Sequence, residues 1–272
     1  MSGTRTGMPA APGAGDRGRI SATIPRGGGG LIRHPAGPTD RPATADVLAR
    51  SFLGRLSASD RDRLLDQAGI VSAAAGAIVY GRAERPQHVG IVVDGLTRAY
   101  ATSADARQLT VVYGRAGSPA TVSALAHDRE TPVWIQALVP STIAEFPAGL
   151  VRDMAATDPS IGLELAAELQ ALMMDAMAAL GASVFGSLRG LLAWHLLQLA
   201  EPVGPDGRMF VPIAQPDLAL IVGTAREVVA RALRTFREEG LVETAPSSIV
   251  IVSPQGMAAI AGGRARSVRG SR

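Results

Sequence analysis

The strongest constraint on this chain lies towards its C-terminus, in residues 214–244, A-Q-P-D-L-A-L-I-V-G-T-A-R-E-V-V-A-R-A-L-R-T-F-R-E-E-G-L-V-E-T. Two apolar-patterned segments flank Gly223, and the second has Val229, Ala232, Leu233 and Phe236 at i, i+3, i+4 and i+7. At helical periodicity that spacing makes one apolar face and leaves Arg226, Glu227, Ala230, Arg231, Arg234 and Arg237 on the other. Thr224 is expected to cap this helix through its hydroxyl, and Gly240 to stop it in the left-handed region that glycine tolerates. Two helices joined by a tight glycine turn form a helix-turn-helix pattern.

The outer face admits two readings. Near the start of a helix lying in the major groove, an Arg can donate twice to guanine O6 and N7, and a carboxylate can accept from cytosine N4. Arg226, Glu227 and Arg231 supply those groups, and Thr224, Gln215 and Arg234 complete the candidate DNA-contacting set. Equally, Thr224-Ala225-Arg226-Glu227 is a capping box in which Glu227 bonds the backbone at Thr224. Glu227 with Arg231 is also an i,i+4 pair worth roughly a few tenths of a kcal/mol.

The stretch I-V-G-T-A-R-E-V-V-A-R-A-L-R-T-F-R-E-E-G-L-V resembles the winged-helix half of the Crp/Fnr family of bacterial transcription regulators, with the family's Arg-Glu-x-x-x-Arg at Arg226, Glu227 and Arg231. A strand at Ile249-Val250-Ile251-Val252 and a closing helix at Met257-Ala258-Ala259-Ile260-Ala261 extend the match to the wing and tail. One departure is Ala214-Gln215-Pro216, where the family usually has a Thr or Ser cap; Pro216 suits the first helical position, but Gln215 is a poor cap. The resemblance implies an α+β fold: an N-terminal antiparallel β-roll like a cyclic-nucleotide-binding jelly roll, a long dimerisation helix and a C-terminal winged helix-turn-helix. It also implies a homodimer reading a palindromic operator with TGA-type half-sites in double-stranded DNA, with RNA polymerase as a further partner.

Composition narrows the chemistry. A chain of 272 residues suits two domains. It has no cysteine, so disulfides, zinc fingers and the cysteine-ligated iron-sulfur cluster used by part of the family are excluded. All 27 Lys and Arg are arginines, for a net charge of only +3, so global charge alone does not argue nucleic-acid binding. No apolar run is read as long enough to span a membrane and no apolar segment follows the N-terminal arginines, so a cytoplasmic protein is expected. His88 and His127 lack a second ligand at fixed spacing and read as structural, His34 falls in the arm, and His195 sits in an apolar helix as a core histidine. No catalytic constellation or metal site is evident, so an enzyme is not expected.

Residues 1–45, rich in Gly, Pro and Arg, read as a disordered arm. Residues 46–157 read as the sensor domain, with short helices around Val47–Leu65 and strands at 77–80, 88–93, 96–100, 108–113 and 133–138, the hairpin Asp94-Gly95 lying between two of them. The order strand, Asp-Gly turn, strand, then Tyr113-Gly114-Arg115-Ala116-Gly117-Ser118 looks like the β-roll of the family's nucleotide-binding domain. In nucleotide-binding members a Gly-Glu-Leu turn and an Arg-Ser or Arg-Ala pair hold ribose and phosphate; Thr121-Val122-Ser123 and Thr131-Pro132-Val133 stand there instead. A buried phosphate without a guanidinium is costly, so cyclic AMP is disfavoured and no cofactor is expected. Arg129 and Glu130 lie nearby, at shifted positions. The expected effector pocket comprises Thr121, Ser123, Arg129, Thr131, Met173 and Met177, with the effector itself unknown.

Residues 158–187 read as the dimer helix and hinge. Asp158-Pro159 is a strong start, and Leu165, Leu169, Leu172, Met173, Ala176 and Leu180 form its seam. The family's Thr-Ser pair for the nucleotide base corresponds here to Ala176 and Met177, a second loss of cyclic-AMP chemistry. Gly181, Gly186 and Ser187 are expected to loosen the chain before residues 188–262, the DNA-binding domain, and 263–272 form a basic tail. The alternative is a cyclic-nucleotide-binding-like regulatory or protein-interaction module whose helix-turn-helix contacts protein.

Overall fold

The computed structural model describes residues 30–54, 56–126, 130–203, 207–245 and 248–262. The 1–29 portion of the expected arm, the basic tail 263–272, and His127 and Arg129 lie outside the described residues.

In chain order the first half runs β1 (Leu31–Pro35), α1 (Arg41–Arg50), α2 (Ala58–Asp66), β2 (Gly69–Ala73), β3 (Ile78–Tyr80), β4 (His88–Asp94), β5 (Thr97–Thr102), β6 (Gln108–Gly114), β7 (Pro119–Thr121), a 3₁₀ turn (Ser123–Leu125), β8 (Trp134–Ala137) and β9 (Ser141–Pro147). Then follow α3 (Ala148–Thr157), α4 (Pro159–Phe185), α5 (Leu188–Leu199), β10 (Glu201–Val203), β11 (Arg208–Val211), α6 (Gln215–Val222), α7 (Arg226–Glu238), β12 (Val242–Ala245), β13 (Ser248–Ile251) and α8 (Pro254–Ile260).

The strands before α3 form two facing antiparallel sheets, ordered β1-β2-β9-β4-β7 and β3-β8-β5-β6. Alternation along β9 shows how they are filled. Ile143 joins Val71, Val79, Val92 and Ile135 between the sheets, while Ala144 and Phe146 turn the other way to meet Val47, Leu53, Leu64 and Val151 under α1–α3. The Asp94-Gly95 hairpin forms, with Gly95 at φ 94° packed so tightly against Ser141 that a Cβ would lie 2.7 Å from its Cα.

The expected arm is shorter than 1–45. Leu31–Pro35 adds to the edge of the five-stranded sheet in register with Gly69–Ala73, and α1 begins at Arg41 with Pro42 in its first turn. Backbone pairing holds β1 although four of its five side chains are exposed, so no apolar pattern announced it. His34 therefore lies in a strand and not in an arm. The short strands β2 and β7, the strand β9 and the helix α3 were also unexpected.

α4 starts where the sequence predicts, with Asp158 accepting from the Ser160 backbone N–H at 2.9 Å, and it runs unbroken through Gly181 to Phe185. Its length and mean hydropathy of 1.3 would also suit a bilayer, against the expectation that no run reaches that length. One side of it packs on β6, α3 and α5. The winged unit has its own sheet, β10-β11-β13-β12, and a core of Leu192, Leu196, Leu199, Leu218, Ile221, Leu233, Phe236 and Met257. Leu96 of the roll, wholly buried, belongs to that same core.

Candidate nucleic-acid interface and the cavity behind it

α6 ends at Gly223, whose φ of 73° and ψ of 36° turn the chain sharply, and the Thr224 N–H donates to Ala219 O at 3.0 Å. α7 then starts one residue later than expected. Its N-cap is Ala225, with no side-chain cap, so neither the Thr224 cap nor the capping box with Glu227 forms. Thr224 is used up in the turn, which fixes its backbone outside the helix. Gln215 opens α6 half-buried, behind an Ala214 N-cap that offers no side-chain acceptor. At its other end α7 closes on Gly240 (φ 71°), with Leu241 N–H on Phe236 O and Gly240 N–H on Arg237 O, both at 2.9 Å.

The apolar stripe Val229, Leu233 and Phe236 is buried, so α7 can present only its polar side. Arg226, Glu227, Arg231 and Arg234 are all exposed, and none has a side-chain hydrogen bond or ion pair to a described residue. The i,i+4 pair between Glu227 and Arg231 is therefore not made. Arg237, one turn further, is held instead by Thr244 Oγ1 of β12 at 3.1 Å.

The other faces of this unit dock on the roll. Thr110 Oγ1 on β6 donates to the Ile221 carbonyl at the end of α6 at 3.2 Å and accepts from Arg98 Nη1 of β5 at 3.2 Å. Arg98, 1% exposed, also reaches Gln136 Oε1 at 2.9 Å and Gln108 Oε1 at 2.5 Å and lies 4.3 Å from the Tyr100 ring centroid. No carboxylate stands within ion-pair distance of it among the described residues. Burial lowers its pKa from the usual guanidinium range. The negative end of the α6 dipole thus sits one hydroxyl away from a buried cation. At Gly223 a Cβ would lie 2.7 Å from the Gln108 carbonyl, so glycine there serves both the turn and the docking.

Two further ties join the units. Tyr113 Oη meets His195 Nδ1 at 2.7 Å, with Trp194 edge-on to His195 at 4.9 Å between centroids. Burial, and then the positive charge of Arg98, depress the His195 pKa to about 3, so the ring is neutral and shares one hydrogen bond with the tyrosine hydroxyl; burial pushes Tyr113 up. Arg115 reaches across to Gln198 O, Ala200 O and Glu201 Oε1. Sequence reasoning placed His195 in a core but missed Arg98, whose partners come from other strands, and Thr110, Tyr113 and Arg115, whose partners across the junction lie 82 to 111 residues away.

Between the four-stranded sheet and α4 lies a cavity of about 560 Å³. Thr121, Ser123 and Thr131 line it as expected, but Met173 and Met177 do not; they are 53% and 61% exposed on the far side of α4. Leu165, Leu169 and Leu172, expected in the dimer seam, line the cavity instead. The cause is rotation: at about 100° per residue Leu165, Leu169 and Leu172 span about 60°, while Met173 and Met177 lie about 80° and 120° round from Leu165. Leu180, 41% exposed, falls between the two groups. No charged side chain of the described residues lines the cavity. Among the described residues no cluster of three or more His, Asp or Glu could hold a metal ion.

Comparison with known proteins agrees with this architecture. Residues 192–260 match the Crp-like helix-turn-helix domain. Over 128 residues the chain is 27% identical to the cAMP-activated global transcriptional regulator Vfr of Pseudomonas aeruginosa, a match spanning 46% of this chain and 59% of that relative. Over 170 residues it is 24% identical to the probable transcriptional regulator flp of Lacticaseibacillus casei, covering 62% and 77%. Among solved structures, FixK2 of Bradyrhizobium japonicum superposes with a TM-score of 0.62 at 20% identity over 71% of this chain and 96% of that one. The c-di-GMP responsive regulator CLP of Xanthomonas campestris gives 0.59 at 18% over 72% and 99%. A two-sheet roll, a long connecting helix and a winged helix of this sequence type make the chain similar to the Crp/Fnr regulators in fold, and its residues 192–260 a Crp-like helix-turn-helix domain.

Proposed function

We propose that the protein is a homodimeric, sequence-specific DNA-binding transcription regulator, not an enzyme, acting in the cytoplasm, with an effector other than cyclic AMP. The observation that carries this reading is the outer face of α7: Arg226, Glu227, Arg231 and Arg234 stand exposed and unengaged on a helix whose other side is locked into a winged-helix core. Unpaired guanidinium groups near a helix start match the donor requirement of guanine edges in the major groove. Two copies related by a two-fold axis would read half-sites about one helical turn, ~34 Å, apart, with TGA-type sequence.

Dimerisation is supported by the exposed side of α4, where Leu163, Met173, Met177 and Val184 are 53–73% exposed. Vfr is cAMP-activated, but that property does not transfer on chemistry, because the cavity's described walls offer neither guanidinium nor carboxylate for a cyclic phosphate and ribose. Selection of binding sites from random duplex DNA, at physiological salt, tests the reading. A palindrome is expected. Recovery of sequences without any shared motif would overturn it.

A further inference from the structure

Resting on the reading of the roll as a sensor, we infer that the cavity between the four-stranded sheet and α4 is the site of an uncharged, largely apolar small molecule carrying one hydrogen-bond acceptor. Its volume of about 560 Å³ falls in the range of small-molecule sites, roughly 300–1,000 Å³, far above the voids of a packed core. Ala99, Val111, Val112, Ala120, Ile135 and Leu172 supply apolar wall. Leu169 lines the cavity yet is 45% exposed, so the space reaches the surface beside α4.

The polar part of the wall sets the ligand's single handle. Thr121 Oγ1 and Ser123 Oγ lie 3.1 Å apart, and Ser123 Oγ and Thr131 Oγ1 3.3 Å apart. A chain of three hydroxyls joined by two hydrogen bonds uses two of its three protons. The third remains to donate, so a carbonyl or ether oxygen is satisfied there. A carboxylate, phosphate or ammonium would lose its hydration with no counter-charge on the described walls.

The site is also wired to the reading head. Ala99 sits between Arg98 and Tyr100, and Val111 and Val112 follow Thr110, at the place where the β5–β6 register shifts. An occupant therefore presses on the same two strands that hold α6 through Thr110 and Ile221.

Prodan, an uncharged naphthalene ketone, is the probe, titrated into the full-length protein and read by its emission shift. Saturable blue-shifted binding at one probe per protomer is expected, with no displacement by anilinonaphthalene sulfonate or cyclic AMP at tenfold higher concentration. Ala99→Phe and Ser123→Phe should each weaken binding at least tenfold, and thermal melting confirms which of the two variants keeps the fold. Absence of saturable binding, equal binding to a folded filled variant, or displacement by cyclic AMP would overturn the inference. A gel shift on the selected operator without probe separates the two levels. Operator binding with no prodan site sinks only the cavity, and prodan binding without operator binding sinks only the DNA reading.

Discussion

The helices α7 and α4 solve opposite problems. α7 buries Val229, Leu233 and Phe236 and turns exposed arginines to solvent, whereas α4 buries Ile161, Ala179 and Ala182 and leaves Met173, Met174 and Met177 more than half exposed. Water tolerates the first surface and penalises the second, at about 25 cal/mol per Å² of apolar area left wet. On the proposed function, the charged face is the one that meets the polyanion, and the apolar face the one that a second copy covers. On that proposal, recognition and assembly are divided between two helix faces of different chemistry.

Breaking the assembly side gives the largest expected effect. Met173→Glu with Met177→Glu puts two carboxylates on the apolar face. At roughly 1.5–3 kcal/mol for each buried side chain lost, self-association should weaken by about 4 kcal/mol, on the order of 1,000-fold. Sedimentation velocity checks this, and an unchanged sedimentation coefficient at micromolar protein would contradict a seam on that face. On the recognition side, Arg226→Ala should cost roughly 1–3 kcal/mol of operator binding and relax a single base position, with the dimer intact. Undiminished preference at every position in a repeated site selection would remove Arg226 from the reading set.

The docked surface between these helices gives smaller effects. His195 is neutral when folded, with a pKa of about 3, against 6.5 in the unfolded chain. The unfolded state alone takes up a proton between those values, so this contribution is complete above pH 6.5 and is lost as pH falls. Going from pH 7 to pH 5 should remove about 2 kcal/mol, at about 1.4 kcal/mol per pH unit. Denaturant titrations of the protein and His195→Gln at both pH values check it; equal slopes in the two proteins would show that another group governs the acid loss. Thr110→Val, which deprives the Ile221 carbonyl of its donor, should cost roughly 1 kcal/mol and speed amide exchange in α6. Unaltered exchange would mean that this contact does not hold the head.

How much of this was legible follows from the range over which each signal acts. α7, the start of α4 and the Asp94-Gly95 hairpin are set by neighbours within a few residues, and they were read to within one or two positions. The Thr224 cap was off by one residue because the αL turn at Gly223 keeps Thr224 in the turn and leaves Ala225 as the N-cap. Leu165, Leu169 and Leu172 were read as one seam with Met173 and Leu180, since periodicity reports an apolar face but not what covers it. Arg98 was invisible because its place depends on Gln108, Thr110 and Gln136 from two other strands. β1 was missed since an edge strand with exposed side chains, Ile32 next to Arg33 and His34, carries no alternation.

Leu96 has a consequence for how the molecule comes apart. Because Leu96 of the roll belongs to the same buried cluster as Leu196, Val211 and Phe236, the two halves are expected to melt together, and calorimetry of the whole chain should record a single endotherm. A fragment cut at residue 188 would begin with a hole in its centre. Severing the halves would therefore damage the winged unit itself.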